Sequence, residues 1–112
     1  MILKVTHSPV AGKRYRATVQ MHNGTIKEFD FGFPTATTYI DDPDLEKRYF
    51  YRIRHFNNPI EKTLITNLVP SPSLLSFALL WGKYPSIKKN VKLLNRIWAE
   101  KKTYHDLFDM QY

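Results

Sequence analysis

The chain has 112 residues, a formal net charge of +7 at pH 7 and no cysteine. This length suffices for one domain with its own core, and the lack of cysteine excludes a disulfide scaffold, a thiol nucleophile and a thiolate metal site. The basic excess makes an acidic partner expected, which can be nucleic acid, an anionic membrane surface or an acidic protein. No apolar run follows a basic start at the N-terminus, so no signal peptide is predicted and we expect synthesis in the cytoplasm.

The first 40 residues predict a β-hairpin region. Residues 14–21 alternate in polarity, which predicts a half-buried strand with its apolar residues on one face. Asn23-Gly24 is typical of a two-residue hairpin turn, and Ile26–Phe33 is the predicted return strand. Residues 1–12 predict a short edge strand or arm followed by a turn. The predicted buried face of the first hairpin strand comprises Tyr15, Ala17, Val19 and Met21.

An acidic turn predicts that a helix begins near residue 42. Asp42 is the expected N-cap, Pro43 fits the first helical position, and Asp44 and Glu46 favour the positive end of the helix dipole. The same carboxylates can also be regarded as a divalent-cation site, but their place at a proline-marked helix start favours capping. We therefore assign residues 41–58 to a helix.

This helix carries both an apolar row and a set of cations. Arg54-His55 lies near its C-terminal end, where the helix dipole favours positive charge. The predicted buried face comprises Leu45, Tyr49, Ile53 and Phe56. The remaining faces are predicted to carry Lys47, Arg48, Arg52 and Arg54.

The stretch Leu74–Trp81 is the most apolar in the chain. Seven of its eight residues are apolar, which predicts a short, fully buried helix. A membrane-spanning helix would need about 20 such residues. Ser71 or Ser73 is expected to cap the first turn, and Gly82 is expected to end the helix in the left-handed conformation.

The last predicted helix opens at Ser86 and is amphipathic. Its cationic face can be a solvated surface or a binding surface, and Trp81 and Trp98 are predicted as core residues rather than base-stacking platforms. Residues 103–112 form an aromatic, mildly acidic tail that is expected either to dock on the hairpin or to await a partner. The apolar stripe comprises Ile87, Val91, Leu94, Ile97 and Trp98, and the cationic face comprises Lys88, Lys89, Lys92 and Arg96.

No motif for catalysis is recognisable in the sequence. The four histidines lie in separate segments without the spacing of a zinc site, and there is neither a glycine-rich phosphate loop nor a Gly-x-Ser-x-Gly elbow. We therefore predict a protein that is not an enzyme and that uses no metal, cofactor or small-molecule substrate.

Three spaced blocks of residues carry a resemblance to a known family. They comprise Phe31-Gly32 with Tyr39-Ile40, then Lys47-Arg48-Tyr49 with Tyr51, Arg54 and His55, and then Pro72–Ser76 with Leu80-Trp81-Gly82 and Ser86-Ile87. Over residues 25–98 this order resembles small basic proteins encoded by nucleocytoplasmic large DNA viruses. Members of that family are associated with virions, and some look like minor capsid components. The resemblance implies a hairpin that ends in Phe-Gly, an Arg-His helix, and a Leu-Trp core helix followed by a basic helix.

The predicted fold class is α+β, with a small N-terminal β-hairpin or sheet packed on three to four helices in a single domain of residues 1–112. The predicted parts are the hairpin region 1–40, the Arg-His helix 41–58, the core and basic helices 59–102, and the tail 103–112. The residues assigned a structural role are Gly32, Asp42, Arg54, His55, Leu80, Trp81 and Trp98.

Two functions are predicted. The first is a non-enzymatic structural component of the virion, present in the host cytoplasm before assembly. This minor capsid protein would contact the major capsid protein, other capsid proteins or the anionic surface of an inner membrane. The alternative is a basic nucleic-acid-binding or packaging protein, which is less favoured because the aromatics lie largely on apolar faces rather than beside the cations. The predicted partner-binding residues are Arg48, Arg52, Lys88, Lys92 and Arg96.

Overall fold

A computed structural model describes residues 1–107 and shows an antiparallel sheet followed by helices. The sheet has the order β1-β2-β3, with β1 at Ile2–His7, β2 at Tyr15–Gln20 and β3 at Ile26–Phe31. The predicted α+β class is confirmed. The helical segments are α1 at Leu45–Phe56, α2 at Pro59–Thr66, α3 at Pro72–Leu75 continued by a π-helical turn at Ser76–Leu80, α4 at Ile87–Ala99 and α5 at Tyr104–Leu107.

The hairpin forms as predicted, but its turn is longer than two residues. β2 and β3 pair from Tyr15 opposite Phe31 to Gln20 opposite Ile26. Beyond that pair, the Met21 amide bonds to the Thr25 carbonyl at 2.7 Å, and only Gly24 of the intervening residues has a positive φ, of +86°. A two-residue Asn-Gly turn of the predicted kind would need positive φ at both positions. The Asn23 side chain instead accepts hydrogen bonds from the amide and hydroxyl of Thr25, which fixes a three-residue loop.

The apolar stretch at the start of α3 forms the centre of the core, as predicted. Leu74 and Leu79 are fully buried, and the sheet covers them with one face of β2 and β3. Of the two candidate capping serines it is Ser71 that caps α3, because its Oγ accepts a hydrogen bond from the Leu74 amide at 3.2 Å. Other buried members of this core are Ala17, Val19, Phe31, Leu75, Phe77, Ala78 and Leu80.

Gly82 ends the core helix, but not in the predicted left-handed conformation. Its φ is not positive; the glycines with positive φ are Gly12, Gly24 and Gly32. A Cβ atom at residue 82 would instead lie 2.0 Å from the carbonyl oxygen of Ala78. The close approach of two backbone segments therefore explains this glycine.

Helix α1 begins two residues later than predicted, and Asp42 is not its N-cap. The cap is Asp44, whose Oδ1 accepts hydrogen bonds from the amides of Glu46 and Lys47 at 3.0 and 3.1 Å. The amides of Asp41 and Asp42 both bond to the Thr38 carbonyl, which holds this segment in a separate turn before the helix can start.

Helix α4 joins the sheet to the core. Ser86 caps it as predicted, Leu94 and Ile97 are buried, and the Asn95 side chain bonds to the amide and carbonyl of Ile2 at 2.7 and 3.0 Å. Trp98 packs against the core, in agreement with the prediction, and its Nε1 donates to the Leu68 carbonyl.

The described start of the tail lies beside α1. The ring of Tyr104 packs 6.2 Å from that of Phe56, centroid to centroid, rather than on the hairpin. The remainder of the predicted tail, residues 108–112, lies outside the described residues. Within residues 1–107 no helix has the length and apolar character needed to cross a bilayer.

Candidate functional site

Arg48 and Arg52 were predicted on a partner-binding surface, and this prediction is wrong. Their exposures are 4% and 2%, whereas Leu45 and Ile53 of the predicted buried face are 44% and 40% exposed. Helix α1 is therefore rotated relative to its predicted orientation. Two residues of the predicted apolar row, Leu45 and Ile53, lie toward solvent, whereas Phe56 packs against the core as predicted. Arg48 and Arg52 lie against the core as well.

The reason is the unusual end of the core helix. The carbonyls after a helix terminus lack intrahelical partners. Arg48 donates to the carbonyls of Gly82 and Lys83 at 3.1 and 3.4 Å, and Arg52 donates to that of Trp81 at 3.3 Å. Their guanidinium groups also lie over aromatic rings, 4.8 Å from the centroid of Tyr39 and 5.6 Å from that of Phe77 respectively. Both arginines are internal braces and do not lie on the exposed surface of the protein.

The cationic face predicted on α4 is exposed. It comprises Lys88, Lys89, Lys92 and Arg96, and Lys83 of the preceding turn extends it. We call these five residues the α4 cationic face. None of them forms a salt bridge with any side chain that the structure describes. The sequence between Glu61 and Glu100 contains neither aspartate nor glutamate, so α4 supplies no carboxylate to this face before Glu100 at its C-terminal end.

Two of these lysines lie at the end of α4 where the helix dipole disfavours positive charge. Lys88 and Lys89 lie in the first turn of α4, which contains no acidic residue. The positive end of the dipole disfavours a cation there by about 0.3–1 kcal/mol. By contrast, α1 has Glu46 in its first turn and Arg54 and His55 in its last, in agreement with the dipole. Helix stability therefore does not explain Lys88 and Lys89, whereas Arg96 in the last turn agrees with the dipole.

An aromatic side chain does lie beside the α4 cationic face. Tyr84 is half-buried, and the Nζ atoms of Lys83 and Lys89 lie 5.7 and 5.9 Å from its ring centroid. Asn90 fixes its backbone, since the Asn90 side chain accepts from the Tyr84 amide and donates to the Tyr84 carbonyl. The ring, Lys89, Lys92 and Arg96 line a shallow groove of about 280 Å³. The expectation that aromatics lie away from the cations is therefore wrong for Tyr84.

A second concave site contains residues that the sequence analysis treated as structural. It is an open cleft of about 510 Å³ between the β1–β2 and β3–α1 loops on one side and α1, α2 and α3 on the other. His55 was assigned to the helix end, but its Nδ1 lies 2.8 Å from Oε2 of Glu61, and Oε1 of Glu61 accepts a hydrogen bond from Ser73 at 3.3 Å. The residues assigned a structural role that line this cleft are Gly32, Arg54, His55, Leu80 and Trp81.

Stacked rings form part of the cleft wall. Tyr51 stacks on Trp81 with ring centroids 4.4 Å apart and an interplanar angle of 10°, and its ring centroid is 4.0 Å from that of His55. Burial, with the Glu61 charge as a further cause, raises the pKa of Tyr51 well above its ordinary range, so the phenol stays neutral. Gly32 lets β3 approach the core here, because a Cβ atom would lie 3.0 Å from Cδ1 of Leu80. Trp81 is a half-buried member of the wall rather than a fully buried core residue.

The α1–α2 break brings His55 and Glu61 together. They lie six residues apart across Asn57-Asn58-Pro59, a spacing that no helix or strand would bring together, so periodicity did not reveal them. Asn58 and Pro59 do signal a new helix start, and that signal could have placed Glu61 in the first turn facing back toward His55. In the described part of the chain no cluster of three or more histidines and carboxylates has the arrangement of a metal site.

Comparison with known proteins gives one match. Residues 3–55 are similar to a family of unknown function, DUF5754. The matched segment spans the sheet and α1 as far as His55, and it does not include α4. No curated protein and no solved structure matches the chain significantly.

Proposed function

We propose that the protein is a non-enzymatic binding module that docks on an acidic protein surface through the α4 cationic face. One observation carries this proposal. Four exposed cations on a single helix have no carboxylate partner among the described side chains, and Lys88 and Lys89 are placed where the helix dipole disfavours them. Residues that oppose local stability without a structural compensation are expected at functional surfaces.

The partner that we propose is the major capsid protein of a large DNA virus. The sequence resemblance supports a minor capsid component, present in the host cytoplasm before assembly and in the virion afterwards. A small unit braced internally by Arg48 and Arg52 is suited to fill a gap between larger subunits, because its exposed helix is held rigidly against the sheet and core. Contacts with other capsid proteins would use the same face.

A nucleic-acid-binding or packaging role is the second candidate. Tyr84 favours nucleic-acid binding, because its ring lies near Lys83 and Lys89. Proteins that bind single strands stack bases on such aromatic rings and contact the phosphates with neighbouring cations. Each phosphate contact with duplex DNA would contribute about 0.9 to the slope of log affinity against log salt concentration. The acidic-protein proposal is preferred because Tyr84 is the single aromatic among the described residues that line this groove.

The test is incorporation into particles of the virus that encodes the protein. Purified particles are separated stepwise into shell, membrane and DNA core, and the protein is quantified in each fraction. We expect recovery with the shell at a fixed ratio to the major capsid protein. Recovery with the core and release by salt would support nucleic-acid binding instead, and recovery with the membrane would indicate an anionic lipid surface.

Charge-reversal variants distinguish binding through the α4 cationic face from a general dependence on net charge. The triple variant Lys88→Glu, Lys92→Glu and Arg96→Glu should abolish incorporation. The matched control Lys4→Glu, Lys27→Glu and Lys62→Glu changes net charge equally at exposed positions of the sheet and α2, and it should leave incorporation unchanged. Equal incorporation of both variants would contradict a binding role for the α4 cationic face.

A further inference from the structure

We infer that the cleft beside His55 binds a small organic anion with a planar apolar body. This inference does not depend on the function proposed for α4, because the two sites share no lining residue. A volume of about 510 Å³ is within the range of small-molecule sites, which have mainly apolar walls and a few convergent polar groups.

The apolar part of the cleft is aromatic and partly exposed. Trp81 is half-buried, although one side of it is covered by the stacked ring of Tyr51, and Phe33 at the rim is 68% exposed. Covering this phenylalanine with a ligand would stabilise the complex by about 25 cal/mol for each Å² of apolar surface removed from water. Planar ligands suit such a wall because stacking adds to area burial.

The polar part of the cleft is positively charged. Lys13 lies on the β1–β2 loop and Arg54 lies on α1, and neither forms a salt bridge with a side chain that the structure describes. The carboxylate in the cleft, Glu61, is already engaged on both oxygens by His55 and Ser73. The two cations outnumber this carboxylate, so the cleft favours an anionic ligand.

His55 adds a directional group to these two charges. Because a carboxylate only accepts, the bond to Glu61 places a proton on Nδ1 and fixes the orientation of the ring. Nε2 has no hydrogen-bond partner within the described residues and is not fully buried. It remains available to an oxygen or hydroxyl of the ligand. Glu61 is thus a positioning residue, and His55, Lys13 and Arg54 are the predicted ligand-contacting residues.

Phenyl phosphate is a suitable first probe because it combines a planar ring with an anion. In a titration of the full chain followed by amide NMR, we expect saturable shifts that cluster at the cleft. Inorganic phosphate and phenol, which each carry half of the probe, should bind at least about tenfold more weakly, since about 1.4 kcal/mol of lost contact is a factor of ten. Benzoate tests whether a carboxylate replaces the phosphate.

Variants at the cleft give the second arm. Lys13→Gln and Arg54→Gln should each weaken phenyl phosphate binding about tenfold, the loss expected for one charge-assisted hydrogen bond. Lys27→Gln and Lys101→Gln remove exposed cations elsewhere and should leave the affinity unchanged. Ring nitrogen spectra of His55 should show the Nε2 signal moving on addition of ligand in the wild type, and Glu61→Gln should alter the tautomer in the free protein.

Two outcomes would overturn the inference. The first is an absence of saturable shifts at the cleft up to about 10 mM probe, where any remaining affinity is weaker than about 3 kcal/mol. The second is binding that Lys27→Gln reduces as much as Arg54→Gln, which would indicate attraction to net charge. Neither outcome bears on docking through α4, which is measured by particle incorporation.

Discussion

Helices α1 and α4 both carry basic residues four positions apart, yet the two rows have opposite environments. Arg48 and Arg52 of α1 are buried, whereas Lys88, Lys92 and Arg96 of α4 are exposed. The row on α1 serves the fold, because it binds backbone carbonyls at the end of the π-helical turn. The row on α4 has no such use. A basic row at helical spacing therefore does not reveal by itself whether it meets solvent or the core.

Residue type is the difference between the rows that the sequence does contain. The planar guanidinium of arginine presents a fork of donors and stacks on aromatic rings, so it can be buried against carbonyls, whereas the ammonium of lysine is strongly hydrated. The row on α1 consists of arginines and lies over Tyr39 and Phe77. The row on α4 is mostly lysine and stays in water. Experiments that exchange these properties test the comparison.

The largest effect is expected from removal of the buried arginines. Arg48→Ala removes the donor to the carbonyls of Gly82 and Lys83, and Arg52→Ala removes the donor to that of Trp81. Either change also opens a void, so each should lower the free energy of unfolding by about 3–4 kcal/mol. Arg96→Ala, on the exposed row, should change it by less than about 0.5 kcal/mol. Urea denaturation monitored by tryptophan fluorescence measures both.

A conservative exchange sharpens this result. Arg48→Lys keeps the charge but loses the fork, so its cost should lie between those of Arg48→Ala and the wild type. If Arg48→Ala proved as harmless as Arg96→Ala, the bracing role of the α1 arginines would be wrong.

The same two helices show how far the sequence predicts this fold. The hairpin, the core position of Leu74–Leu80 and the amphipathic α4 follow from hydrophobic periodicity, and the structure confirms them. The buried face of α1 was predicted wrongly because hydrophobic periodicity assigns apolar residues such as Leu45 and Ile53 to the core and arginines to the surface. Arg48 and Arg52 bind the carbonyls of residues 81–83, directly after the π-helical turn that ends the core helix, and no apolar pattern signals that turn.

The cleft was missed for a related reason. Lys13, Arg54 and Trp81 come from three distant segments, and each has an ordinary local explanation as a loop cation, a helix-end cation and a core aromatic. Their convergence is a property of the tertiary fold. The four cations on α4 itself, by contrast, lie on one helix and could be identified from spacing alone, whereas Lys83 was found only in the structure.

The next largest effect concerns the turn that the α1 arginines bind. Gly82→Ala places a Cβ atom 2.0 Å from the Ala78 carbonyl oxygen and 3.1 Å from Cγ of Asn90, so we expect a loss of about 2–3 kcal/mol. Gly24→Ala is the matched control, because it has open space but a φ of +86° and should cost only about 1 kcal/mol. Thermal unfolding ranks the two. A smaller loss for Gly82→Ala than for Gly24→Ala would show that the turn can shift freely.

Arg14 is intermediate in exposure between the buried arginines of α1 and the exposed cations of α4, and it binds a carboxylate. Its guanidinium donates to both oxygens of Asp41 at 2.7 and 2.5 Å, and Thr38 donates from its amide and hydroxyl. These bonds, the Arg14 bond first, hold the pKa of Asp41 well below its usual range despite partial burial. Asp41→Asn should therefore cost about 1–2 kcal/mol at neutral pH, allowing for solvent screening.

The pH dependence of this pair has a definite sign. Because the folded-state pKa of Asp41 is lower than the unfolded one, its stabilisation is complete above about pH 4 and is lost as the pH falls toward the folded-state value. The stability difference between wild type and Asp41→Asn should thus narrow below about pH 4. Asp42→Asn is the control, since Asp42 is 56% exposed and 3.8 Å from Lys47. A difference that stays constant with pH would exclude the ionised carboxylate as the cause.

The smallest effect on stability is the one that separates fold from function most clearly. Lys88→Glu replaces a cation by an anion in the first turn of α4, where the dipole favours negative charge, so the unfolding free energy should rise by up to about 1 kcal/mol. The same change removes one charge from the α4 cationic face and should reduce incorporation into particles. A variant that is more stable but binds less would show that these lysines are retained for a partner. Lower stability in Lys88→Glu would instead mean that Lys88 contributes to the fold, as the arginines of α1 do.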